Sequence, residues 1–275
     1  TRGLQVITAH LSSRAFHAPQ RTASLVAVLV YHGFLPMSGV GLLLGKLHLH
    51  RCVLDPRETH LAKKVRKRAK AFRLTVGEAW PQVVEHIQRL TYTTAPGDCW
   101  LTDKVVKAYE DVQKLGPKWR RGIRFISVEL WHIETKELVA GEIGYTCGSV
   151  YSSCTGFSVK DKYPSAGAVQ LAALGAWLVR QDFKLWDLGM ELEYKMDLGG
   201  HMVPRAEWAT KVRQWRSDDK VTLENPSGDE GLASQLLSTL RERPEAAPTE
   251  KGGDEKPEIK RTSEAERSEK RKEPT

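Results

Sequence analysis

The stretch KLWDLG, residues 184–189, decides the fold prediction because it places one acid inside a short apolar run that glycine closes. Such a run is typical of a buried strand and is too short for a helix. Burial disfavours the charged form of a carboxylate, so Asp187 needs a partner or a substrate. We therefore treat Asp187 as a candidate general base or amine-binding group. The alternative is a structural role, in which Asp187 bonds neighbouring backbone amides or a basic side chain such as Arg205.

The residues before this stretch show strand patterns and then a helix pattern. Apolar periodicity predicts strands at 124–132, 137–146 and 149–157, and an Ala- and Leu-rich segment predicts a helix at 166–180. With the strand described above, these elements predict an α+β fold with a mixed sheet and packed helices. The step from helix to strand is characteristic of acetyltransferase-like (GNAT-type) proteins, so we assign residues 122–223 to a catalytic domain of that type.

Three further segments complete the predicted organisation. Residues 1–21 form an N-terminal extension, residues 22–121 a small N-terminal domain with a basic helix, and residues 224–275 a charged tail. The tail has little apolar content and is predicted to be disordered, apart from a short amphipathic helix within 231–243. In the N-terminal domain, the segment 39–54 contains histidines that alternate with leucines, which predicts a half-exposed strand.

The charge of the chain favours an anionic partner. The 42 Lys and Arg residues against 34 Asp and Glu give a net charge of +8, as expected for a protein that binds RNA. The densest basic segment, 57–73, carries an apolar stripe at helical spacing, which predicts a helix with a phosphate-binding face; a solvated surface is the alternative. Trp100 is a candidate for stacking on a nucleobase, or it plugs the edge of a core. The candidate phosphate-binding residues are Lys63, Lys64, Arg66, Lys67, Arg68 and Arg73.

Cysteine spacing and apolar content bear on compartment and metal binding. The four cysteines form no CxxC pair, so we predict no metal site and a reducing compartment. No apolar run approaches the about 20 residues that a membrane helix needs. We expect a cytoplasmic protein, although the acid-poor residues 1–21 are also compatible with an organelle-targeting peptide.

Seven short motifs follow the order that they have in the leucyl/phenylalanyl-tRNA protein transferases, a family that this chain resembles over residues 22–213. Members of this family move an amino acid from a charged tRNA to the N-terminal amine of a protein. No motif is specific alone, whereas seven in the same order are specific. The motifs are VYHGFLPM (30–37), WLT with VVKAY (100–109), SVELW (127–131), LVAGEIG (138–144), FS (157–158), KLWD (184–187), and LGG through PRAEW (198–208).

The resemblance implies a role for each matching position. Asp187 is implied to orient or deprotonate the attacking α-amine, Trp100 to lie against the terminal adenosine, and the basic helix to meet the tRNA acceptor stem. The implied partners are an aminoacyl-tRNA and an acceptor protein or peptide with a free N-terminus. The resemblance implies no coenzyme A or other cofactor, and we expect a monomer without a membrane partner. The implied pocket for the aminoacyl side chain, whose apolar members equally suit an ordinary core, contains Glu142, Tyr151, Leu171, Leu174, Leu178 and Trp186.

The chain departs from the family pattern at four places. The family's WWSPDPR segment is replaced by GKLHLHR at 45–51, a glutamine by Gly189, and a glutamate by Cys154. Glu142 stands where an apolar pocket residue is usual. A buried Glu142 is expected to reject a Leu or Phe side chain and to favour a cationic one, whereas an outward-facing Glu142 leaves an apolar pocket. These departures predict a divergent member with altered specificity or reduced activity.

Two other classes of protein fit parts of the sequence. A non-catalytic RNA-binding relative needs only the basic face and Trp100, and it would accommodate Gly189 and Cys154. A coenzyme A-dependent N-acetyltransferase would share the fold. However, the segment 165–168 lacks the glycine spacing of a loop that binds the coenzyme A pyrophosphate.

Overall fold

The structure is a computed structural model that describes residues 19–39, 42–94 and 99–240. All of these residues belong to one unit, Thr1–Arg243. The predictions made for residues 1–18 and 241–275 lie outside the described residues.

Two sheets organise the described residues. The smaller one pairs β1 (Leu35–Gly39) with β2 (Leu42–Lys46). The larger one contains β3 (His50–Leu54), β4 (Phe72–Val76), β5 (Arg124–His132), β6 (Leu138–Cys147), β7 (Val150–Ser158), β8 (Leu185–Gly189) and β9 (His201–Pro204). Its order is β4-β5-β6-β7-β8-β3-β9. Neighbouring strands are antiparallel except for the parallel pair β7 and β8, so the predicted α+β fold with a mixed sheet is confirmed.

Nine helices occur within the described residues. They are α1 (Pro19–Tyr31), α2 (Lys63–Arg68), α3 (Trp80–Thr94), α4 (Asp103–Val112), α5 (Pro117–Arg120), α6 (Ala166–Arg180), α7 (Glu193–Asp197), α8 (Arg205–Trp215) and α9 (Ala233–Ser238). The predicted bounds of β5 and α6 match the structure at both ends. None of these helices is long and apolar enough to cross a membrane.

The helix α6 connects the two parallel strands. Parallel neighbours cannot be joined by a tight turn, because the chain must return to the same end of the sheet before the second strand begins. In α6, small residues such as Ala172, Ala173 and Ala176 are buried against the sheet. This close packing fixes the helix beside β7 and β8, where the cleft described below is found.

Alternation of side chains along the strands separates the core into layers. Val128 and Leu130 of β5 belong to the core under α6, whereas Phe125 of the same strand belongs to the core under α1, α3 and α4. A third, smaller core joins residues of β3, β7, β8 and β9 to Trp208 of α8. The sheet is therefore covered on both faces.

Strands from the N-terminal part of the chain belong to the same sheet as the later strands. The strand β3 pairs with β8 and β9, and β4 pairs with β5. The boundary predicted between residues 121 and 122 therefore does not separate two sheets. The segment 39–54 also contains parts of three strands rather than one, because residues 47–49 leave the small sheet before β3 joins the larger one.

The helix predicted over 57–73 was wrong in extent. The helix α2 has one and a half turns, a 3₁₀ turn follows at Ala69–Ala71, and Phe72 already begins β4 opposite His132. Leu61, Ala69 and Phe72 are all buried in one core, as the apolar stripe required. They reach that core from a bridge, a turn and a strand, so their helical spacing was coincidental.

The chain after residue 223 continues to pack against the core. A 3₁₀ turn at Gly228–Gly231 leads into α9, and the side chains of Leu236 and Leu237 are fully buried beneath it. The short amphipathic helix predicted within 231–243 is therefore confirmed. Residues 224–240 pack on the core instead of forming part of a disordered tail, because these leucines share one face that α6 and β4 cover.

Candidate active-site cleft

The acid of β8, Asp187, is fully buried, and each of its oxygens accepts two hydrogen bonds. Its Oδ1 accepts from Arg51 Nε at 3.2 Å and from the backbone nitrogen of Gly189 at 3.0 Å. Its Oδ2 accepts from Arg51 Nη2 at 2.5 Å and from Trp208 Nε1 at 3.0 Å. An ionised carboxylate offers about four acceptor positions, so these donors fill them. In this geometry Asp187 has no position left for a proton from a substrate amine.

Arg51 is the partner of Asp187 that sequence reasoning did not identify. It lies on β3, 136 positions away along the chain, and its guanidinium also lies over the ring of Trp208, 5.0 Å from the centroid. Burial alone lowers the pKa of Arg51, but the charge and hydrogen bonds of Asp187 raise it above its usual value. The candidate taken from the sequence, Arg205, begins α8 and donates its backbone N–H to the carbonyl of Leu49.

Asp187 and the large cleft of the protein lie on opposite faces of β8. Successive side chains of a strand point to opposite faces. Leu188 lines the cleft. Leu185, which shares the face of Asp187, packs with Trp208 in the smallest core. Asp187 is therefore not part of the cleft wall.

The cleft has a volume of about 950 Å³ and opens beside β7, between α2, α6 and α7. Apolar side chains form much of its wall, and a small number of polar groups converge on it. This combination is usual for sites that enclose a small molecule or a side chain. The apolar members include Val65, Phe157, Leu171, Leu188 and Leu198.

Glu142 of β6 lies in the cleft wall and is 5% exposed. Its Oε1 accepts hydrogen bonds from the Tyr151 hydroxyl and from Ser153 Oγ, both at 2.7 Å. Ser153 Oγ in turn accepts from Trp186 Nε1 at 2.9 Å. Tyr151 and Ser153 thus fix the Glu142 carboxylate within the wall of the cleft.

Glu142 and Gln170 are the buried polar neighbours in this wall. Burial raises the pKa of Glu142 above its ordinary value of 4.5, whereas the hydrogen bonds from Tyr151 and Ser153 lower it. Hydrogen bonding with the Gln170 amide lowers it too, and Gln170 Nε2 has no other partner among the described residues. The sequence signal for Gln170 was available, since it interrupts the apolar run AGAVQLAALGAWLV of α6.

Lys195 and Cys154 also line the cleft. Lys195 Nζ donates to the backbone carbonyls of Leu188 at 2.5 Å and Met190 at 3.3 Å, and burial lowers its pKa. Burial raises the pKa of the Cys154 thiol, so it stays protonated at neutral pH and does not supply the negative charge of the family's glutamate. Among the acids that line this cleft, Glu142 on the neighbouring strand is buried, whereas Asp161 and Asp197 are exposed.

The six predicted pocket residues divide into three groups. Two of them line the cleft: Glu142 and Leu171. Two form the hydrogen-bonded layer behind Glu142: Tyr151 and Trp186. The last two, which are fully buried in the core under α6 and do not line the cleft, are Leu174 and Leu178.

The predicted phosphate-binding residues divide into two groups. One group surrounds a depression of about 280 Å³: Lys63, Lys64, Lys67 and Arg68. Val65 of the same helix lines the large cleft, so α2 contributes side chains to both. The other group, Arg66 and Arg73, donates hydrogen bonds to the backbone carbonyls of Leu240 and Gly228 in the C-terminal segment.

Trp100 and Gly189 occupy positions outside the cleft wall. Trp100 is half-buried against the core under α1, α3 and α4, and its carbonyl accepts the N–H of Ser38 at 2.9 Å. Gly189 has φ +83°, with open space where a Cβ would stand, so a glutamine there would have room but a strained backbone. Within the described residues, no group of three or more His, Cys, Asp or Glu could hold a metal ion.

Comparisons with known proteins agree with the motifs in the sequence. The chain matches the family model described as leucyl/phenylalanyl-tRNA protein transferase over residues 53–213. A leucyl/phenylalanyl-tRNA–protein transferase of Ralstonia pickettii is 31% identical over 171 residues, which cover 60% of this chain and 63% of that protein. Proteins of the same name from Azotobacter vinelandii (30% over 165 residues, 58% of this chain and 65% of that protein) and Desulforapulum autotrophicum (25% over 178 residues, 64% and 71%) also match. The chain therefore spans less than two thirds of the first of these relatives.

Proposed function

The chain belongs to the leucyl/phenylalanyl-tRNA protein transferase family, and we propose that it moves an amino acid from a charged tRNA to the N-terminal α-amine of an acceptor protein. The observation that carries this proposal is that one helix, α2, lines both the cleft and the basic depression. Lysine and arginine bind RNA phosphates without reading sequence, and an aminoacyl group needs an enclosed site. One short helix provides a wall to each.

The proposed reaction needs placement more than covalent help. An aminoacyl ester is already activated, so the acceptor amine attacks its carbonyl carbon, a C–N bond forms and the ester C–O bond breaks. The ribose hydroxyl of the tRNA leaves and takes up the proton that the amine loses. Holding the amine against the ester supplies most of the rate enhancement. We therefore propose no coenzyme A, metal ion or other cofactor.

Asp187 is proposed as a positioning residue of this reaction. It holds Arg51, Trp208 and the amide of Gly189, and so it fixes the end of the strand whose Leu188 forms part of the cleft wall. Accepting a proton from the attacking amine would first require one of these donors to leave. The proposed roles of the other residues follow the resemblance: the basic side chains of α2 bind phosphates and Trp100 stacks on the terminal adenosine.

The arrangement of the sheet supports a likeness to acetyltransferases. The parallel pair β7 and β8, joined by α6, is flanked by the antiparallel neighbours β6 and β3. We propose that residues 22–121 and 122–223 act together as one catalytic unit, since their strands share a sheet. We further propose that the protein is a cytoplasmic monomer whose partners are an aminoacyl-tRNA and a protein N-terminus, within protein turnover that depends on N-terminal residues.

The test is intact-mass analysis of peptides after incubation with the protein and a mixed pool of charged tRNAs. The peptides differ in their first residue, and matched peptides with an acetylated N-terminus serve as controls. A mass increase of one amino acid on the free peptides alone is expected. No increase with any donor, together with retained tRNA binding, would overturn the proposal and favour a non-catalytic RNA-binding protein. The filled acceptor positions of Asp187 are the observation that favours that second candidate.

A further inference from the structure

Exposed apolar side chains are concentrated in one short segment beside the cleft. In the described part of the chain, eight large apolar side chains are exposed, and four of them lie within residues 190–196. They are Met190 (47% exposed), Leu192 (37%), Tyr194 (51%) and Met196 (37%). Single exposed apolar side chains are normal, whereas a group of them is the mark of an interaction site. We call this segment, which follows β8 and runs into α7, the apolar rim.

The backbone of the apolar rim is held in place. Lys195, the one buried residue of residues 190–196, donates hydrogen bonds from its Nζ to the carbonyls of Leu188 at 2.5 Å and Met190 at 3.3 Å. Its own carbonyl accepts the N–H of Gly200 at 2.9 Å. The exposed side chains are thus presented by a fixed backbone. A partner that binds such a surface loses less ordering entropy than one that binds a loose loop.

The apolar rim continues into the cleft. Tyr194 lines the cleft although it is half exposed, so it stands where the rim and the cleft meet. Leu198, which follows α7, is buried in the core under α6 and also lines the cleft. A molecule that lies on the rim can therefore extend into the cleft along one continuous surface.

The charges of the apolar rim disfavour RNA. Glu191, Glu193 and the adjoining Asp197 are exposed, whereas Lys195 is buried. Carboxylates repel phosphates, so the rim does not extend the basic depression that α2 provides on another side of the cleft. A polypeptide carries no phosphates, and its free N-terminal amine can be positively charged. The apolar surface and the charge of the rim therefore suit a protein partner.

We propose that the apolar rim binds the acceptor protein next to its N-terminus and selects acceptors with an apolar second or third residue. The first residue enters the cleft, and the apolar side chain packs on Met190, Leu192 and Tyr194. Each residue of an extended chain spans about 3.3–3.6 Å, so only the first few residues can lie between the cleft and the rim. Glu191 and Glu193 repel an acidic residue at the same place. The proposal rests on the proposed function, because it concerns the second substrate of that transfer.

The experiment measures the binding of labelled peptides to the full chain by fluorescence anisotropy, without tRNA. The first residue of the peptides is varied, and the second and third residues are both leucine, both serine or both aspartate. Burial of a leucine side chain strengthens binding, so we expect the leucine peptides to bind about 10-fold or more tightly than the serine peptides with the same first residue. The aspartate peptides should bind most weakly.

Two double variants test the apolar and the acidic side chains separately. Met190→Ser with Leu192→Ser removes two exposed side chains that do not line the cleft. We expect its affinity for the leucine peptides to fall about 10-fold, to the level of the serine peptides, while its affinity for tRNA stays unchanged. Glu191→Gln with Glu193→Gln should strengthen the binding of the aspartate peptides alone. The matched control is Trp119→Ser, since Trp119 is 55% exposed and does not line the cleft. It should keep every peptide affinity of the parent protein.

Several results would overturn the proposal. These are equal affinities for the leucine and serine peptides, no binding of any peptide, or equal losses for all peptides in Met190→Ser with Leu192→Ser. Weaker tRNA binding in that variant would make RNA the occupant of the rim. A dimer of the parent protein that this variant dissociates, as seen by analytical ultracentrifugation, would make the occupant a second copy of the chain.

Transfer from charged tRNA to the same peptides is measured in parallel, so that the two proposals can fail separately. Selective binding of the leucine peptides through the rim, without transfer from any charged tRNA, would reject the proposed function and keep this inference. Transfer that is equally efficient for leucine and serine peptides at concentrations far below saturation would reject this inference alone.

Discussion

Asp187 and Glu142 are two buried carboxylates of one sheet, and they differ in what their oxygens contact. Both oxygens of Asp187 are filled by Arg51, Trp208 and Gly189. Glu142 accepts hydrogen bonds from Tyr151 and Ser153, and its side chain lies in the wall of the cleft. The first carboxylate lies outside the cleft and is enclosed by its own protein, and the second lies in the cleft wall.

The difference shows that burial alone does not identify a functional acid. An unpaired buried carboxylate is costly, so a protein either neutralises it with a partner or keeps it where a ligand can pair with it. Counting the donors on each oxygen separates these two cases. Asp187 bonds residues of β3, β8 and α8, whereas Glu142 lies in the wall of the cleft.

The largest effect is expected for Asp187→Asn, on the free energy of unfolding. The substitution leaves the Arg51 guanidinium buried without its counter-charge, and breaking a buried pair in this way costs about 3–5 kcal/mol. Urea denaturation monitored by tryptophan fluorescence measures the loss. Glu142→Gln, compared under the same conditions, should lose much less. A fully stable Asp187→Asn protein that has lost transfer by about 100-fold or more would return Asp187 to direct catalysis.

Replacing both Arg51 and Asp187 is expected to lower the free energy of unfolding by less than the sum of the two single replacements. In the double variant Arg51→Gln with Asp187→Asn, no uncompensated charge remains, and contacting residues of this kind show coupling of about 1–3 kcal/mol. The same denaturation experiments on the two single variants and the double variant give the coupling free energy. Additive losses would show that Arg51 and Asp187 stabilise the protein independently of each other.

Glu142 should make the free energy of unfolding depend on pH, and the substitution Glu142→Gln should abolish this dependence. Because the pKa of Glu142 is raised on folding, its favourable contribution is present below the unfolded value of 4.5 and is lost as pH rises through the folded value. As pH rises, the unfolding free energy of the parent protein should therefore fall relative to that of Glu142→Gln, by at most about 1.36 kcal/mol per pH unit. Leu174→Ala, a core change without a titratable group, should differ from the parent by the same amount at each pH. If the difference in unfolding free energy between Glu142→Gln and the parent protein is also the same at each pH, the raised pKa of Glu142 is contradicted.

The smallest effect concerns the basic depression outside the cleft. Neutralising Lys63, Lys64 and Lys67 to glutamine should lower the slope of log affinity for tRNA against log salt by about 0.7–0.9 for each phosphate that the variant no longer binds. The three exposed side chains carry little of the fold, so unfolding should change little. Arg73→Gln is the matched control, since Arg73 donates to the carbonyl of Gly228 and pairs with Asp229. An unchanged salt slope in the triple variant would make the depression an ordinary solvated surface.

Local elements of the fold were predictable because their signals are local. The strand β5, the helix α6 and the strand around Asp187 each lie within one periodic stretch that turn residues close. The helix predicted over 57–73 failed because Phe72 fits a helical stripe by spacing while it pairs in a strand with His132. Spacing alone cannot distinguish these cases when the residues share one core.

The site was less predictable because its contacts join distant parts of the chain. Arg51 and Asp187 lie 136 positions apart, and sequence proximity pointed to Arg205 instead. The facing of Glu142 could not be derived from alternation, since β6 is buried along its whole length. For the same reason the pocket-lining Leu171 could not be separated from the core residues Leu174 and Leu178 in a helix that is apolar on most sides.

The most direct test of the account follows both carboxyl groups in one sample by ¹³C NMR, with leucyl-adenosine amide, in which an amide replaces the ester, added in steps. The carboxyl signals are assigned from the Asp187→Asn and Glu142→Gln variants. We predict that the signal of Glu142 moves as the ligand binds, while that of Asp187 stays in place because its oxygens remain bonded to Arg51, Trp208 and Gly189. A ligand-induced shift of the Asp187 signal with none of the Glu142 signal would contradict the account, because it would mean that the ligand contacts Asp187 rather than Glu142.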